Sequence, residues 1–154
     1  MEDRKVGRLI IISAPSGAGK TTMVDRLLAK HRDLKRSISY TTRKPRPGEV
    51  QQHHYHFVTK ADFLEKRKRG FFLEWANVFG NYYGTSKKAC FDWVQKGFDV
   101  VLTIDVQGMK KILQKFEKKL PIVTLFVMPP SMGVLKKRLK LCYISCHIIM
   151  NYTT

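Results

Sequence analysis

The nine residues from Ala14 to Thr22 constrain the fold more than any other part of the sequence. They read Ala-Pro-Ser-Gly-Ala-Gly-Lys-Thr-Thr. Before them stands a short β-branched apolar run, Arg8–Ser13, and Lys20–Lys30 has apolar residues at helical spacing. A buried strand, a glycine-rich turn and a helix in this order are the context of a phosphate-binding loop. The pattern predicts nucleotide binding, because such a turn points backbone N–H groups and the positive end of the helix dipole at phosphate oxygens.

Two side chains of this loop carry chemistry of their own. Lys20 brings a positive charge to the outer phosphates, and the hydroxyl of Thr21 can ligate Mg²⁺. The strict loop pattern has Gly where Ala14 stands, so the alternative is a turn that happens to contain Gly, Lys and Thr. The intact Gly-Lys-Thr and its position between a strand and a helix favour the nucleotide site.

Strands of the buried type alternate with helices further along the chain. We predict strands over Phe98–Ile104 and Ile122–Met128, helices over Ser86–Lys96 and Lys110–Lys119, and a last helix that Ser131 caps and that ends near Lys140. This alternation predicts an α/β fold with a parallel sheet.

Residues 37–85 interrupt that alternation. They are predicted to form a small inserted subdomain within a single domain of residues 1–154, whose core is about 1–36 and 86–140. In the insertion we expect a short helix and strand-like pieces: Ser37–Ser39, Tyr55–Val58, Asp62–Arg69 and Phe71–Val78.

Two arginines flank a proline early in the insertion. Arg43 and Arg46 stand on either side of Pro45, which restricts the backbone of the residue before it. Guanidinium groups on a stiff turn suit a monophosphate, whose oxygens they can bind bidentately. Taken alone, the segment is more typical of a solvated basic loop.

A carboxylate stands among aromatic residues later in the insertion. Glu74 lies in the run Phe72–Thr85, which is rich in aromatic residues. A carboxylate there could accept the adjacent N1–H and N2–H donors of guanine, whereas adenine offers no such pair. On spacing alone, an edge-strand Glu beside core aromatics is the favoured interpretation of the segment.

These three blocks, followed by Thr103-Ile104-Asp105-Val106-Gln107-Gly108, resemble guanylate kinases. The resemblance runs from about Arg8 to Leu139. It implies a parallel-sheet, P-loop nucleoside-monophosphate kinase core with an inserted α+β GMP-binding subdomain and a mobile lid. It also implies transfer of the γ-phosphoryl group of ATP to GMP, with Mg²⁺ accompanying ATP, in purine nucleotide metabolism.

The resemblance also assigns roles to individual residues. Three are expected to be catalytic, namely Lys20, Arg43 and Arg138, and Thr21 is expected to ligate the metal. The expected ATP-binding residues are Ala14, Pro15, Ser16, Gly17, Ala18, Gly19, Lys20, Thr21 and Thr22. The expected GMP-binding residues are Ser39, Arg43, Arg46, Tyr55, Glu74, Tyr83, Thr85 and Asp105.

Two departures from the family pattern affect these expectations. Thr103 stands where the family usually has another Asp, so metal handling is expected to be altered. After about Leu139 the family continues with an Arg-rich lid, a helix and a strand, whereas residues 140–154 share nothing with that pattern. We expect a truncated or divergent end with the lid and C-terminal elements largely missing, which leaves open impaired catalysis.

The charge balance admits other classes of function. With 29 Lys and Arg against 12 Asp and Glu, the formal net charge is +17, which favours an anionic partner. One alternative is a non-catalytic module that binds GMP or a phosphopeptide; the intact Gly19-Lys20-Thr21 opposes it. Another is a nucleic-acid binder, but Lys66–Arg69 is more typical of a solvated face, and no specific nucleic-acid partner is expected.

Composition also bears on location. The three cysteines are few and widely spaced, which suits reduced thiols in the cytoplasm, and no apolar run approaches the ~20 residues of a membrane span. We therefore expect a cytoplasmic protein with no membrane partner, either a monomer or a homodimer.

Overall fold

A four-stranded, all-parallel sheet forms the larger half of the fold. The structure, a computed structural model, describes residues 6–15, 18–129, 131 and 133–137. The strand order in this sheet is β2-β7-β1-β8, which confirms the predicted parallel α/β core. Its strands are β1 (Leu9–Ser13), β2 (Leu34–Arg36), β7 (Asp99–Thr103) and β8 (Ile122–Phe126).

Helices cover both faces of this sheet. On one face Val24 of α1 packs against Ile12 and Val101. On the other face α3 and α4 pack against neighbouring strand residues such as Ile11 and Leu102. Burial on both faces explains why β1 and the centre of β7 read as continuous apolar runs. The three helices are α1 (Lys20–Lys30), α3 (Lys87–Gln95) and α4 (Val106–Phe116).

A second, smaller sheet lies beside the first and has the order β4-β3-β6-β5. Helix α2 (Lys60–Lys68) packs on it through Phe63, whose ring stacks on Phe72 at 4.4 Å and on Tyr82 at 5.4 Å between centroids. Gly84 makes this packing possible, because a Cβ there would lie 2.8 Å from Phe72. The strands are β3 (Tyr40–Thr41), β4 (His56–Phe57), β5 (Phe72–Val78) and β6 (Asn81–Ser86).

The secondary structure differs from the sequence-based prediction in several places. The short strands β2 and β3 were not predicted. Strand β6 was not predicted, since its polar, aromatic and Gly residues show no apolar run; it forms because it pairs with β5 along its length. The strand-like piece predicted over Ser37–Ser39 lies between β2 and β3. Helix α4 begins at Val106 instead of Lys110, because Asp105 caps it by accepting the N–H of Gly108 at 2.7 Å.

Toward the end of the described chain, residues 133–137 are helical, and Ser131 Oγ accepts the N–H of Val134 at 3.2 Å as predicted for the last helix. The part of that prediction beyond residue 137 lies outside the described residues. None of the helices in the described part of the chain is long and apolar enough to cross a membrane.

Candidate functional site

A cleft of about 630 Å³ opens where β1 and β7 end and the second sheet begins. The carboxyl ends of parallel strands are the usual place for a ligand in an open α/β sheet. Here β1 leads into Ala14 and β7 leads into Ile104, and both residues line the cleft. The opposite wall comes from the second sheet, so two structural layers contribute to one site.

The start of α1 forms part of the cleft wall. Gly19 precedes the helix with φ of +90°, a left-handed conformation that favours glycine, and it has no side chain with which to cap the helix. The N-terminal amides of α1 are therefore directed toward the cleft wall that Gly19, Lys20 and Thr21 line. Burial lowers the pKa of Lys20, and the charge of Asp105 opposes that shift. The N-terminus of α1 is therefore suited to bind an anion.

A buried carboxylate also lines the cleft. Glu74 on β5 is only 7% exposed, and its Oε1 accepts the hydroxyl of Thr85 on β6 at 2.9 Å. Burial raises its pKa to about 7; Thr85 and Lys111 act in the opposite direction, and Asp105 adds to the rise. Glu74 is thus a hydrogen-bond acceptor in a nearly dry pocket that titrates close to neutral pH.

The arginine-rich turn is held by an internal ion pair. Both terminal nitrogens of Arg43 donate to Glu49, at 2.8 and 2.9 Å, and the backbone N–H of Arg46 donates to the same carboxylate at 2.7 Å. This pairing raises the pKa of Arg43 and lowers that of Glu49. Sequence reasoning gave Glu49 no role. Its spacing, three residues after Arg46 in a Pro- and Gly-containing turn, is the signal that could have identified it.

Tyr55 lies beside the arginine-rich turn and also lines the cleft. Tyr55 lies with its ring 5.5 Å from the guanidinium carbon of Arg43 and 6.1 Å from the ring of Tyr83. Burial raises the pKa of Tyr55, which keeps its hydroxyl protonated and able to donate a hydrogen bond. A smaller cavity of about 260 Å³ connects the two regions, since it is lined by both arginines, both tyrosines and Thr21.

Most of the predicted site residues are brought to this place. Arg43 lines the smaller cavity, and Thr85 is bonded to Glu74. Ser16, Gly17 and Arg138 lie outside the described residues. The predicted residues that line the large cleft are Ala14, Pro15, Ala18, Gly19, Lys20, Thr21, Thr22, Ser39, Arg46, Tyr55, Glu74, Tyr83 and Asp105.

Oxygen donors for a metal are sparse in the cleft. Across the described residues, no group of three His, Cys, Asp or Glu side chains is arranged to hold a metal ion. The hydroxyl of Thr21 and the carboxylate of Asp105 are hard oxygen donors that line the cleft. Mg²⁺ usually keeps several waters and binds through one or two protein oxygens together with substrate phosphates, so this donor set fits it.

Comparison with known proteins gives consistent matches. The family model described as guanylate kinase matches residues 6–143. The guanylate kinase of Neisseria gonorrhoeae is 48% identical over 140 residues, 91% of this chain and 67% of that protein. The guanylate kinase of Idiomarina loihiensis is 46% identical over 88% of this chain and 64% of its own length. The guanylate kinase of Paraburkholderia xenovorans is 48% identical over 87% of this chain and 58% of its own length.

A solved structure matches as well. The crystal structure of guanylate kinase from Anaplasma phagocytophilum superimposes with a TM-score of 0.75 at 36% identity, covering 89% of this chain and 68% of that one. The chain spans about 58 to 67% of the length of the three curated relatives named above.

Proposed function

The chain belongs to the guanylate kinase family, and from this premise we propose that it transfers the γ-phosphoryl group of ATP to GMP, giving ADP and GDP. One observation carries the proposal. A single cleft is lined both by the N-terminus of a helix with Lys20 and by the buried carboxylate of Glu74. A donor nucleotide and an acceptor nucleotide can thus meet with their phosphates together.

Glu74 is proposed to select the base. Guanine presents N1–H and N2–H side by side, and a carboxylate can accept both, whereas adenine has no donor at N1. The Glu74 pocket excludes most water, so an unmatched donor or acceptor there is costly. Ser39, Thr85 and Asp105 are proposed to complete recognition of the guanosine end.

The arginine turn is proposed to hold the phosphate of GMP. Arg43, Arg46, Tyr55 and Tyr83 surround the smaller cavity, and their N–H and O–H groups are donors suited to phosphate oxygens. Glu49 orients Arg43 in this proposal, because it occupies the two terminal nitrogens and restricts how the guanidinium group can turn.

The residues of the phosphate loop, Ala14–Thr22, are proposed to hold ATP. The acceptor of the reaction is already an anion, so no strong general base is needed, and the rate depends on positioning and charge neutralisation. Lys20 and Arg43 offset the repulsion between two polyanions, together with Arg138. Mg²⁺, when bound with ATP, would be held by Thr21 and Asp105 and would neutralise phosphate charge; Thr103 provides a hydroxyl instead of a second carboxylate.

Location and assembly are part of the proposal. Cys90 is a free, buried thiol, which is consistent with the reducing cytoplasm, and we propose that the protein acts there in purine nucleotide metabolism as a monomer or homodimer. A non-catalytic module is not favoured, since the curated relatives are guanylate kinases.

The decisive experiment is a coupled assay of GDP formation from ATP and GMP, with AMP as the competing acceptor. We expect GDP formation and strong preference for GMP. In Glu74→Gln the KM for GMP should rise about 100-fold while the KM for ATP is unchanged, because an amide N–H would face the donors of guanine. Glu117→Gln, at an exposed carboxylate on the end of α4, is the matched control. GMP binding without turnover would overturn the enzymatic proposal.

A further inference from the structure

Helix α4 packs against Glu74 at Gly108, where a glycine leaves room for the carboxylate. Gly108 lies in its first turn, and a Cβ at that position would lie 3.0 Å from Oε2 of Glu74 and 3.3 Å from Oδ1 of Asp105. Contacts of this length are tight for a Cβ, so the carboxylate would have to move by a few tenths of an ångström if Gly108 were replaced. The absence of a side chain at Gly108 therefore sets where Glu74 lies.

The two oxygens of Glu74 have different neighbours. Oε1 accepts the hydroxyl of Thr85, and Oε2 lies against Gly108. A carboxylate that accepts two parallel N–H groups needs its plane fixed, because a small rotation misaligns one of the two bonds. Thr85 and Gly108 together determine that plane.

Lys111 lies one turn further along the same helix. Its ammonium group donates to the backbone carbonyl of Trp75 at 2.9 Å, so it is anchored to the residue that follows Glu74. Lys111 and Glu74 also line the same groove, about 570 Å³ in volume, between α4 and β5. A positive charge is thus fixed behind the carboxylate.

Four groups face Glu74 from the elements packed around it. The negative charge of Asp105, at the start of α4, raises the pKa of Glu74, and the positive charge of Lys111 lowers it. Thr85 on β6 donates a hydrogen bond to the charged form. Cys90 on α3 is a neutral thiol, because burial raises its pKa to about 11. Within the described chain, Lys111 is the cation that offsets Asp105 at this carboxylate.

We propose that Gly108 and Lys111 are positioning residues for guanine recognition: Gly108 sets the orientation of the Glu74 carboxylate, and Lys111, which is bonded to the next residue of β5, holds a positive charge beside it. The inference rests on the proposed function, since it explains how the same site would distinguish guanine. Neither residue contacts the nucleotide in this account; both act through Glu74.

The steric part is tested with Gly108→Ala by calorimetry. GMP is compared with inosine monophosphate, which keeps N1–H but lacks the 2-amino group. We expect the Kd for GMP to rise about tenfold and that for inosine monophosphate to rise less, so the ratio of the two affinities falls. Alanine favours a helix over glycine, so a retained Tm separates this loss from unfolding. An unchanged affinity ratio would overturn the role of Gly108.

The electrostatic part is tested with Lys111→Met, and Lys110→Met is the control for loss of a neighbouring exposed charge on α4. The midpoint of GMP binding against pH should move to higher pH in Lys111→Met only, and Lys111→Arg should restore it. The phosphate of GMP titrates identically with every variant, so it cancels in the comparison. Equal shifts in Lys110→Met and Lys111→Met would overturn the role of Lys111.

A nucleotide-free measurement separates this inference from the proposed function. If the wild-type protein does not bind GMP, the proposed function fails. The dependence of Tm on pH without nucleotide still reports ionisation of Glu74, and it should shift to higher pH in Lys111→Met. A Tm profile unaffected by that substitution would sink the inference even if GMP binds.

Discussion

Lys20 lines the cleft from the first turn of α1, and the charge of Asp105 acts on its ammonium group. Glu74 lines the same cleft, and burial raises its pKa to about 7. Burial therefore opposes the charged form of both residues, and shifts of this kind cluster at functional sites. The two side chains suit different tasks, because a cation stabilises developing negative charge and a carboxylate accepts base N–H groups.

Replacing Lys20 with methionine should lower kcat for GDP formation by about 10²- to 10³-fold, because it removes charge stabilisation from the transferring phosphoryl group. The Tm should not fall, since a partly buried ammonium group is replaced by an apolar side chain of similar length. Lys118→Met, at an exposed lysine after α4, serves as the control. Near-wild-type kcat in Lys20→Met, measured at saturating ATP and GMP, would contradict the assigned role.

The raised pKa of Glu74 makes a prediction about stability against pH. Between the unfolded value of 4.5 and the folded value of about 7, the folded protein holds a proton that the unfolded chain has released. Stability therefore falls as pH rises through this window, and the loss is complete above pH 7. Glu74→Gln removes this titration, so its Tm relative to wild type should rise by about 9 °C from pH 4.5 to pH 8, from a difference of about 3 kcal/mol.

Differential scanning calorimetry without nucleotide would measure this change. Glu117→Gln should show a Tm difference that is independent of pH over the same range. A constant offset for Glu74→Gln would mean that Glu74 is ionised throughout, and it would contradict the pKa argument.

At the scale of elements, the second sheet positions the base pocket. Strand β6 carries Tyr83 and Thr85 on either side of Gly84, and Gly84 lets the rings of Phe63 and Phe72 approach the strand. The packing of α2 against this sheet thus determines where two proposed GMP contacts lie.

Substituting Gly84 by alanine should lower Tm by about 5 °C, because the new Cβ would lie 2.8 Å from Phe72 and 3.0 Å from Phe63 in a packed region; such overpacking costs about 1 to 3 kcal/mol. Thermal unfolding followed by circular dichroism would measure it. Gly133→Ala is the control, since among the described residues its Cβ would meet only Ser131 Oγ, at 3.7 Å. Equal Tm values for the two variants would show that the rings move aside without cost.

The elements that could be predicted from sequence are those determined by local pattern. Strand β1, the loop and α1 follow from a β-branched run, glycines and helical spacing, and these signals lie within about twenty residues. Strand β6 could not be predicted, because its pairing with β5 and β3 is what makes Asn81–Ser86 a strand. The role of Glu49 was missed for a similar reason: its partners become clear only when the turn is folded.

The site residues also separate into those that local sequence signals identify and those that only long-range contacts reveal. The identities of Lys20 and Glu74 as candidates came from motif and resemblance, and the structure places both in one cleft. That Gly108 touches Glu74 is a contact between α4 and β5, separated by more than thirty residues, and no local pattern encodes it.

At the scale of the whole molecule, the net charge of +17 creates a positive potential that attracts anionic nucleotides. Raising KCl from about 50 to 300 mM shortens the screening length, so kcat/KM for GMP should fall at least about threefold. Steady-state assays at constant free Mg²⁺ would measure this, with sucrose at matched viscosity as the control. A salt-independent kcat/KM would mean that the overall charge does not assist substrate capture.

The position of Trp75 gives the molecule an optical property. It directly follows Glu74, and its indole lies 4.8 Å from the guanidinium carbon of Arg67 and 5.3 Å from the ammonium nitrogen of Lys111. Indole emission responds to nearby charge, and the only other tryptophan in the sequence, Trp93, is on α3. With Trp93 replaced by phenylalanine, the intrinsic fluorescence of the protein would report on the base pocket alone, and nucleotide docking could be followed in real time without a label.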